Sequence, residues 1–191
     1  MSESPKDGKY SIAEYFEFCQ KWEGRFEFVQ GEIVEIESDT LIGNAIAGNV
    51  HIFFGRLLND QSFICFQSSV RVEVEQNNIL RIPDFVICDE NGDLIQYVIN
   101  PLLIVEVLAD STTPIDRSDK LREYLLIQSL RYYLLVEQTR CFVELYIRDD
   151  ERWYVQIYDK MEDVIKLPYF NAELPLYAIY RKVVFADATS F

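Results

Sequence analysis

Apolar and polar residues recur along this chain with periods that predict a series of helices and strands. Segment 11–23 carries apolar residues at helical spacing behind a serine that can cap a helix. Residues 25–37 alternate in polarity around Gln30-Gly31, which is typical of a β-hairpin. Residues 39–59 are apolar with helical periodicity and predict a long, mostly buried helix.

The rest of the chain predicts further strands and two shorter helices. Strands are predicted at 62–67, 70–75, 79–89, 101–109, 131–138, 141–148 and 152–159. Helices are predicted at about 116–129 and 174–182. The elements predict a single domain over residues 1–191, of the α/β or α+β class, with a central mixed β-sheet flanked by helices.

Length and composition narrow the class of protein. The chain has 191 residues, of which 49% are apolar and 14% aromatic, so it can bury one core and does not have the composition of a disordered chain. Its apolar runs are too short to span a bilayer, and the N-terminal MSESPKDGKY lacks a secretory signal pattern. We therefore expect no membrane segment.

The four cysteines are far apart, and the chain has a single histidine. No CxxC pair occurs, so a zinc site is not expected. Scattered cysteines without an export signal are typical of reduced thiols. The sequence predicts a cytoplasmic protein.

A strong negative charge limits the partners of the protein. The chain has 32 acidic and 18 basic residues, which give a net charge of −14. Proteins that bind a phosphate backbone usually carry a basic face. The charge is therefore evidence against a nucleic-acid partner, and it suggests solubility, repulsion from nucleic acid or a basic partner.

Two acidic residues interrupt apolar strands. Glu106 lies in LLIVEVL, where an ionised carboxylate needs a partner, a proton or a cation. Asp84 follows Pro83, which cannot donate to a sheet and so marks a strand end where a side chain can reach a cleft. On adjacent strands the two acids could bind one hard cation, because Mg²⁺ uses one or two carboxylates with water and phosphate oxygens. We expect both within reach of one metal ion.

Two more charged residues complete the candidate site. Lys120 lies at the start of the helix that follows the strand of Glu106, and it can fold back to stabilise a phosphate or hold an attacking water. Glu27, between two phenylalanines, can add a third carboxylate to a metal shell.

The motif segments occur in an order that resembles a known family. RFEFVQGEIVEI, RIPDFVI, LLIVEVLADSTTPIDRSDKLREY and RYYLLVE follow one another at the spacing of the Uma family of predicted bacterial restriction endonucleases. That family has the PD-(D/E)XK nuclease fold. The resemblance covers about residues 10–158. It implies a restriction-endonuclease-like core.

The resemblance also implies roles for the candidate residues. Asp84 takes the place of the family's aspartate, Glu106 of its second acid and Glu27 of its N-terminal acid, while Lys120 matches a lysine moved to the next helix. The implied activity is a metal-dependent DNA endonuclease that uses Mg²⁺ or Mn²⁺. Cutting two strands is easiest with two sites, so a homodimer is expected.

This sequence departs from the motif at two places. Leu108 stands where the general nuclease motif has its lysine, two positions after the second acid. Ala109-Asp110 stands where the family has serine-proline, so the conformation of this loop is not implied by the resemblance.

Each candidate residue also has a structural alternative. Glu106 could be neutralised by an arginine such as Arg81 or Arg131. Lys120 could be a solvated helix residue paired with its neighbour Asp119. Asp84 could cap a turn, and Glu27 could face solvent.

Two hypotheses about function therefore remain, an active endonuclease and a catalytically inactive nuclease-fold protein that serves as a binding or assembly module. The spatial arrangement of charge discriminates between them. Basic residues around the carboxylates favour the nuclease, and acidic residues around them favour the module.

Overall fold

The computed structural model describes residues 9–74, 78–90, 96–109 and 116–185. The helices are α1 (Ile12–Lys21), α2 (Leu41–Leu57), α3 (Leu121–Leu126) and α4 (Leu176–Ile179). The strands are β1 (Arg25–Val29), β2 (Glu32–Ile36), β3 (Phe63–Gln67), β4 (Val72–Val74), β5 (Ile79–Arg81), β6 (Phe85–Asp89), β7 (Pro101–Leu108), β8 (Tyr132–Glu137), β9 (Val143–Asp149), β10 (Arg152–Tyr158), β11 (Val164–Leu167) and β12 (Ala172–Pro175).

The main sheet has six strands in the order β10-β9-β8-β7-β6-β3. Strands β7 and β8 run parallel, and the other neighbours run antiparallel, so the sheet is mixed. A parallel pair needs a crossover connection, and α3 lies within it. The predicted central mixed sheet flanked by helices is confirmed.

Strand β7 is buried along its whole length because cores cover both faces of the sheet. Leu103, Val105 and Val107 face the core that contains α2 and α4. Ile104 and Leu108 face a second core with Tyr124 of α3. Glu106 shares the second face, because side chains alternate along a strand.

A four-stranded sheet in the order β2-β1-β5-β4 lies beside the main sheet. Its hairpin turns at Gln30 and Gly31, which both have positive φ (53° and 91°), as the sequence predicts. Phe26 and Phe28 of β1 pack against Tyr15 of α1. Glu27, which lies between them, therefore points to the opposite side of the sheet.

The segment 79–89, predicted as one strand, is two strands in different sheets. The β-structure is interrupted between Arg81 and Phe85, because Pro83 has no N–H to donate to a sheet. β5 continues the small sheet and β6 joins the main one. The break places Asp84 at the junction of the two sheets.

The other differences lie near the helices predicted at 116–129 and 174–182. The first begins with a π-helical turn at Asp116–Lys120 and ends at Leu126, and the hairpin of β11 and β12 was not predicted. This hairpin takes the start of segment 174–182 and leaves only the four residues of α4 as a helix. The Asp110 position lies outside the described residues.

Within the described ranges, no helix has the length and apolar character needed to cross a bilayer.

Candidate functional site

Asp84 and Glu106 meet because β6 and β7 are antiparallel neighbours. The register pairs Phe85 with Val105, so the residues one step beyond this pair are Asp84 and Glu106. Directly opposite residues project to the same face of a sheet. The Val107 N–H donates to Oδ2 of Asp84 at 2.6 Å. Both carboxylates line one cavity, and their reach of a single metal ion stays a prediction.

Glu106 is buried, with 3% of its surface exposed, and two donors bind the same oxygen. Lys120 Nζ lies 3.1 Å from Oε1, and the Tyr124 hydroxyl donates to Oε1 at 3.0 Å. Lys120 therefore neutralises this acid at close range, a position that the sequence alternatives gave to Arg81 or Arg131.

Lys120 is buried rather than solvated, with 7% exposure. It is the last residue of the π-helical turn and immediately precedes α3, and π-helical turns often occur at functional sites. Its ammonium also lies 3.6 Å from Oε1 of Glu27. The lysine on the crossover thus reaches back between two carboxylates on different sheets.

Glu27 points away from the core beneath its own sheet and into this site. Oε2 accepts from Arg81 Nη1 at 2.7 Å, and Oε1 accepts from the Ile82 N–H at 3.1 Å. Burial by itself raises the pKa of Glu27, but the charges of Lys120 and Arg81 outweigh it and hold the pKa below its ordinary value. The side chain is therefore ionised at neutral pH, and its role as a metal ligand stays a prediction.

Arg81 connects Glu27 to α3. Its Nε and Nη2 donate to Glu123 at 2.7 and 2.8 Å, while Nη1 donates to Glu27. A guanidinium has donors in a fixed fork, which suits two carboxylates at once. The three residues form an ion-paired triad that joins β1, β5 and α3, in which Arg81 and Glu27 are buried and Glu123 is half-buried.

The cavity has a volume of about 250 Å³ and more acidic than basic residues in its lining. Among the described residues that line it, the six acids are Glu27, Glu35, Glu37, Asp39, Asp84 and Glu106, and the three bases are Arg25, Arg81 and Lys120. Each of these bases forms an ion pair with an acid of the lining: Arg25 with Asp39, Arg81 with Glu27, and Lys120 with Glu106. The lining therefore favours a cation.

Asp84 responds to this environment. Burial raises its pKa from the ordinary 3.8 to about 6, the Val107 N–H partly offsets this effect, and the charge of Asp39 adds to it. The ionised form of Asp84 is thus disfavoured, chiefly because burial removes the carboxylate from water.

We expect Asp84→Asn to stabilise the metal-free protein at pH 8 by about 2–3 kcal/mol, because a shift of one pKa unit corresponds to 1.36 kcal/mol. The pKa of Asp84 is higher in the folded than in the unfolded state, so stability is lost as the pH rises through about 6. The gain should shrink as the pH falls and vanish below about pH 4. Urea unfolding from pH 4 to 8 measures it.

The matched control is Asp60→Asn, on an exposed turn, which should change stability by less than about 0.5 kcal/mol. A destabilising Asp84→Asn at pH 8 would contradict the electrostatic account.

The donor set fits a hard divalent cation with few protein ligands. Within the described ranges, no three His, Cys, Asp or Glu side chains form a cluster arranged to hold a metal ion. Mg²⁺ needs only one or two carboxylates and completes its shell with water and phosphate oxygens. Asp84 and Glu106 offer such a pair, and the raised pKa of Asp84 indicates that a further cation would be stabilising.

Sequence reasoning missed Tyr124, Glu123 and the pairing of Arg81. The sequence does carry a signal for Tyr124, because it lies four residues after Lys120 and so shares one face of a helix with it. Nothing in the pattern around Glu123 marks its distant partner on β5.

Comparison with known proteins gives the family. The model of the Uma2 family, described as "Putative restriction endonuclease", matches residues 12–177. The chain belongs to the Uma2 family. This confirms the family that the motif order predicts, and it supports a nuclease of the restriction-endonuclease type.

Two cyanobacterial relatives of this Uma2 protein come from Synechocystis sp. (strain ATCC 27184 / PCC 6803 / Kazusa). "Uncharacterized protein slr1290" is 25% identical over 179 residues, which cover 93% of this chain and 94% of the relative. "Uncharacterized protein sll1609" is 29% identical over 148 residues, which cover 75% and 84%.

A solved structure shares the fold of this Uma2 protein. It is described as "a putative nuclease belonging to DUF820" from Anabaena variabilis ATCC 29413 and superposes with a TM-score of 0.70 at 13% identity, covering 89% of this chain and 98% of that one. At this identity the likeness shows the fold alone. The restriction-endonuclease-like fold predicted from the sequence is confirmed.

Proposed function

We propose that this Uma2 protein is a metal-dependent DNA endonuclease that hydrolyses phosphodiester bonds. The observation that carries the proposal is the convergence of Asp84, Glu106 and Lys120 on one cavity at the junction of two sheets. Family and fold support a nuclease, and the donor set supports Mg²⁺ or Mn²⁺ as its cofactor.

Asp84 and Glu106 would hold the cation. When bound there, a divalent cation polarises a scissile phosphate and lowers the pKa of an attacking water. The Val107 N–H orients one oxygen of Asp84, and Lys120 with Tyr124 orients Glu106, so both carboxylates are fixed before a metal arrives.

Lys120 is the group that can stabilise negative charge on the substrate. Its flexible stem ends in an ammonium that already lies in the cavity wall, and a lysine can turn from a carboxylate to a phosphate oxygen. In that position it would stabilise negative charge developing in the transition state.

The charge of the lining supports the rival hypothesis, a catalytically inactive module. Six acids against three bases is the arrangement expected if the cavity does not receive a phosphate backbone. A bound cation reduces this excess, so the nuclease proposal requires metal before nucleic acid. Metal-dependent nicking is therefore the property that decides between an active nuclease and an inactive module.

Glu106→Gln should abolish Mn²⁺ binding and lower plasmid nicking at least about 100-fold, because a neutral amide is a poor ligand for a hard cation. Mn²⁺ and Mg²⁺ binding by calorimetry and nicking of a supercoiled plasmid measure the two effects. Nicking by the wild type should also stop in EDTA.

The control variant is Glu173→Gln, an exposed strand glutamate on β12, which should bind and nick like the wild type. Metal binding without nicking by the wild type would favour the inactive module. Equal Mn²⁺ binding by the wild type and Glu106→Gln would show that this glutamate is structural.

DNA as the substrate, a homodimer and the cytoplasm as location stay predictions from the sequence. A single-stranded RNA and a duplex DNA of matched length, tested in the same nicking conditions, distinguish the substrates.

A further inference from the structure

We propose that Tyr124 is a positioning residue of this site, whose hydroxyl holds Glu106 in its ligating orientation while Lys120 moves to the substrate. The inference rests on the proposed function and names a residue that acts through Glu106.

Two donors, Tyr124 and Lys120, share one acceptor oxygen of Glu106. Oε1 of Glu106 receives the Tyr124 hydroxyl at 3.0 Å and the Lys120 ammonium at 3.1 Å. Two donors on one oxygen fix the carboxylate more firmly than either alone.

The two donors differ in how far they can move. The ring of Tyr124 is fully buried and packs edge-on against Tyr133, at 5.3 Å between ring centroids, so its hydroxyl is fixed relative to the sheet. Lys120 has a flexible four-carbon stem and lies in the cavity wall. When the ammonium turns towards substrate, the phenol still donates to Oε1 of Glu106.

Helix α3 supports this arrangement from the other side. Glu123, next to Tyr124, receives two hydrogen bonds from Arg81, which in turn binds Glu27. Adjacent residues of one helix are thus tied to β5 and to β7. Supporting groups of this kind tune a site by orienting its ligands.

The test compares Tyr124→Phe with Tyr132→Phe, using Mn²⁺ as the probe. Both remove a single hydroxyl from a buried tyrosine, but the Tyr132 hydroxyl accepts from the Tyr169 N–H and belongs to the other core. Calorimetry on the full chain gives the Kd for Mn²⁺, and nicking rates at saturating Mn²⁺ give kcat and KM.

Tyr124→Phe should weaken Mn²⁺ binding about tenfold, the usual scale for a group that orients a ligand, and should lower kcat with little change in KM for DNA. Tyr132→Phe should leave all three values unchanged. Circular dichroism of each variant checks that the fold is retained.

An unchanged Kd and kcat in Tyr124→Phe would overturn the positioning role while leaving the nuclease intact. If the wild type binds no Mn²⁺, the metal site itself is wrong and the inference falls with it. Equal losses in both tyrosine variants would indicate a general packing effect and would also overturn the inference.

Discussion

Arg81→Met is expected to lower the free energy of unfolding by about 3–5 kcal/mol, the scale seen when one partner of a buried ion pair is removed. Arg81 has 6% of its surface exposed and binds both Glu27 and Glu123. Methionine keeps the apolar stem but leaves two carboxylates without their guanidinium. Urea unfolding at pH 7.5, followed by circular dichroism, measures the loss.

The loss should depend on pH. The pKa of Glu27 is lowered from 4.5 in the folded wild type, so this residue stabilises the protein above about pH 4.5 and the contribution is lost as the pH falls further. Arg81→Met removes part of that contribution. The difference between the two proteins should therefore be largest near neutral pH and smaller below pH 4.5.

A surface pair provides the control. Arg140 lies 3.8 Å from Glu137 with 63% of its side chain exposed, so Arg140→Met should change stability by less than about 0.5 kcal/mol. Adding Glu27→Gln and Glu123→Gln to Arg81→Met should recover part of the loss, because the two carboxylate charges that Arg81 had stabilised are then absent. A change of less than about 1 kcal/mol in Arg81→Met would contradict a stabilising triad.

Lys120→Met is expected to lower the nicking rate about 100- to 1,000-fold, which is the cost of removing one group that stabilises charge in a transition state. The same change should tighten Mn²⁺ binding, because it removes an ammonium that lies 3.1 Å from a ligating carboxylate. Opposite effects on metal binding and on rate would separate this lysine from the carboxylates, whose replacement should weaken both.

The measurements are calorimetry with Mn²⁺ and nicking at saturating Mn²⁺. Lys166→Met, an exposed lysine on β11, is the matched control and should behave like the wild type in both. Wild-type nicking by Lys120→Met would show that the lysine only neutralises the buried acids. Weaker Mn²⁺ binding would show that it supports the ligand instead of competing with the metal.

The sequence predicted the two metal-site candidates because burying a carboxylate without a partner costs free energy. An acid within LLIVEVL and another behind Pro83 are hard to explain without a partner, and that reasoning needs only the local pattern. Their meeting could also be anticipated, because strands close in the chain often pair. For segment 79–89, Pro83 predicts a strand end but not the change of sheet that occurs there.

The partners of the charged residues could not be predicted in the same way. The sequence offers Arg81 as a partner for Glu106, but in the structure it binds Glu27 and Glu123. Which acid it meets depends on the register of β1 with β5 and on the docking of α3. The sequence predicts Lys120 near the site, but only the packing of its helix decides between solvent and two buried carboxylates.

The sequence by itself determined the period of most elements, the family, and the acids whose burial had to be explained. Only the tertiary structure decided that Lys120 and Tyr124 share one oxygen of Glu106, and that acids outnumber bases around the cavity. The reason is physical. Burial and periodicity are properties of neighbouring residues, whereas an ion pair or a cavity is set by strand register and helix packing between segments far apart in the chain.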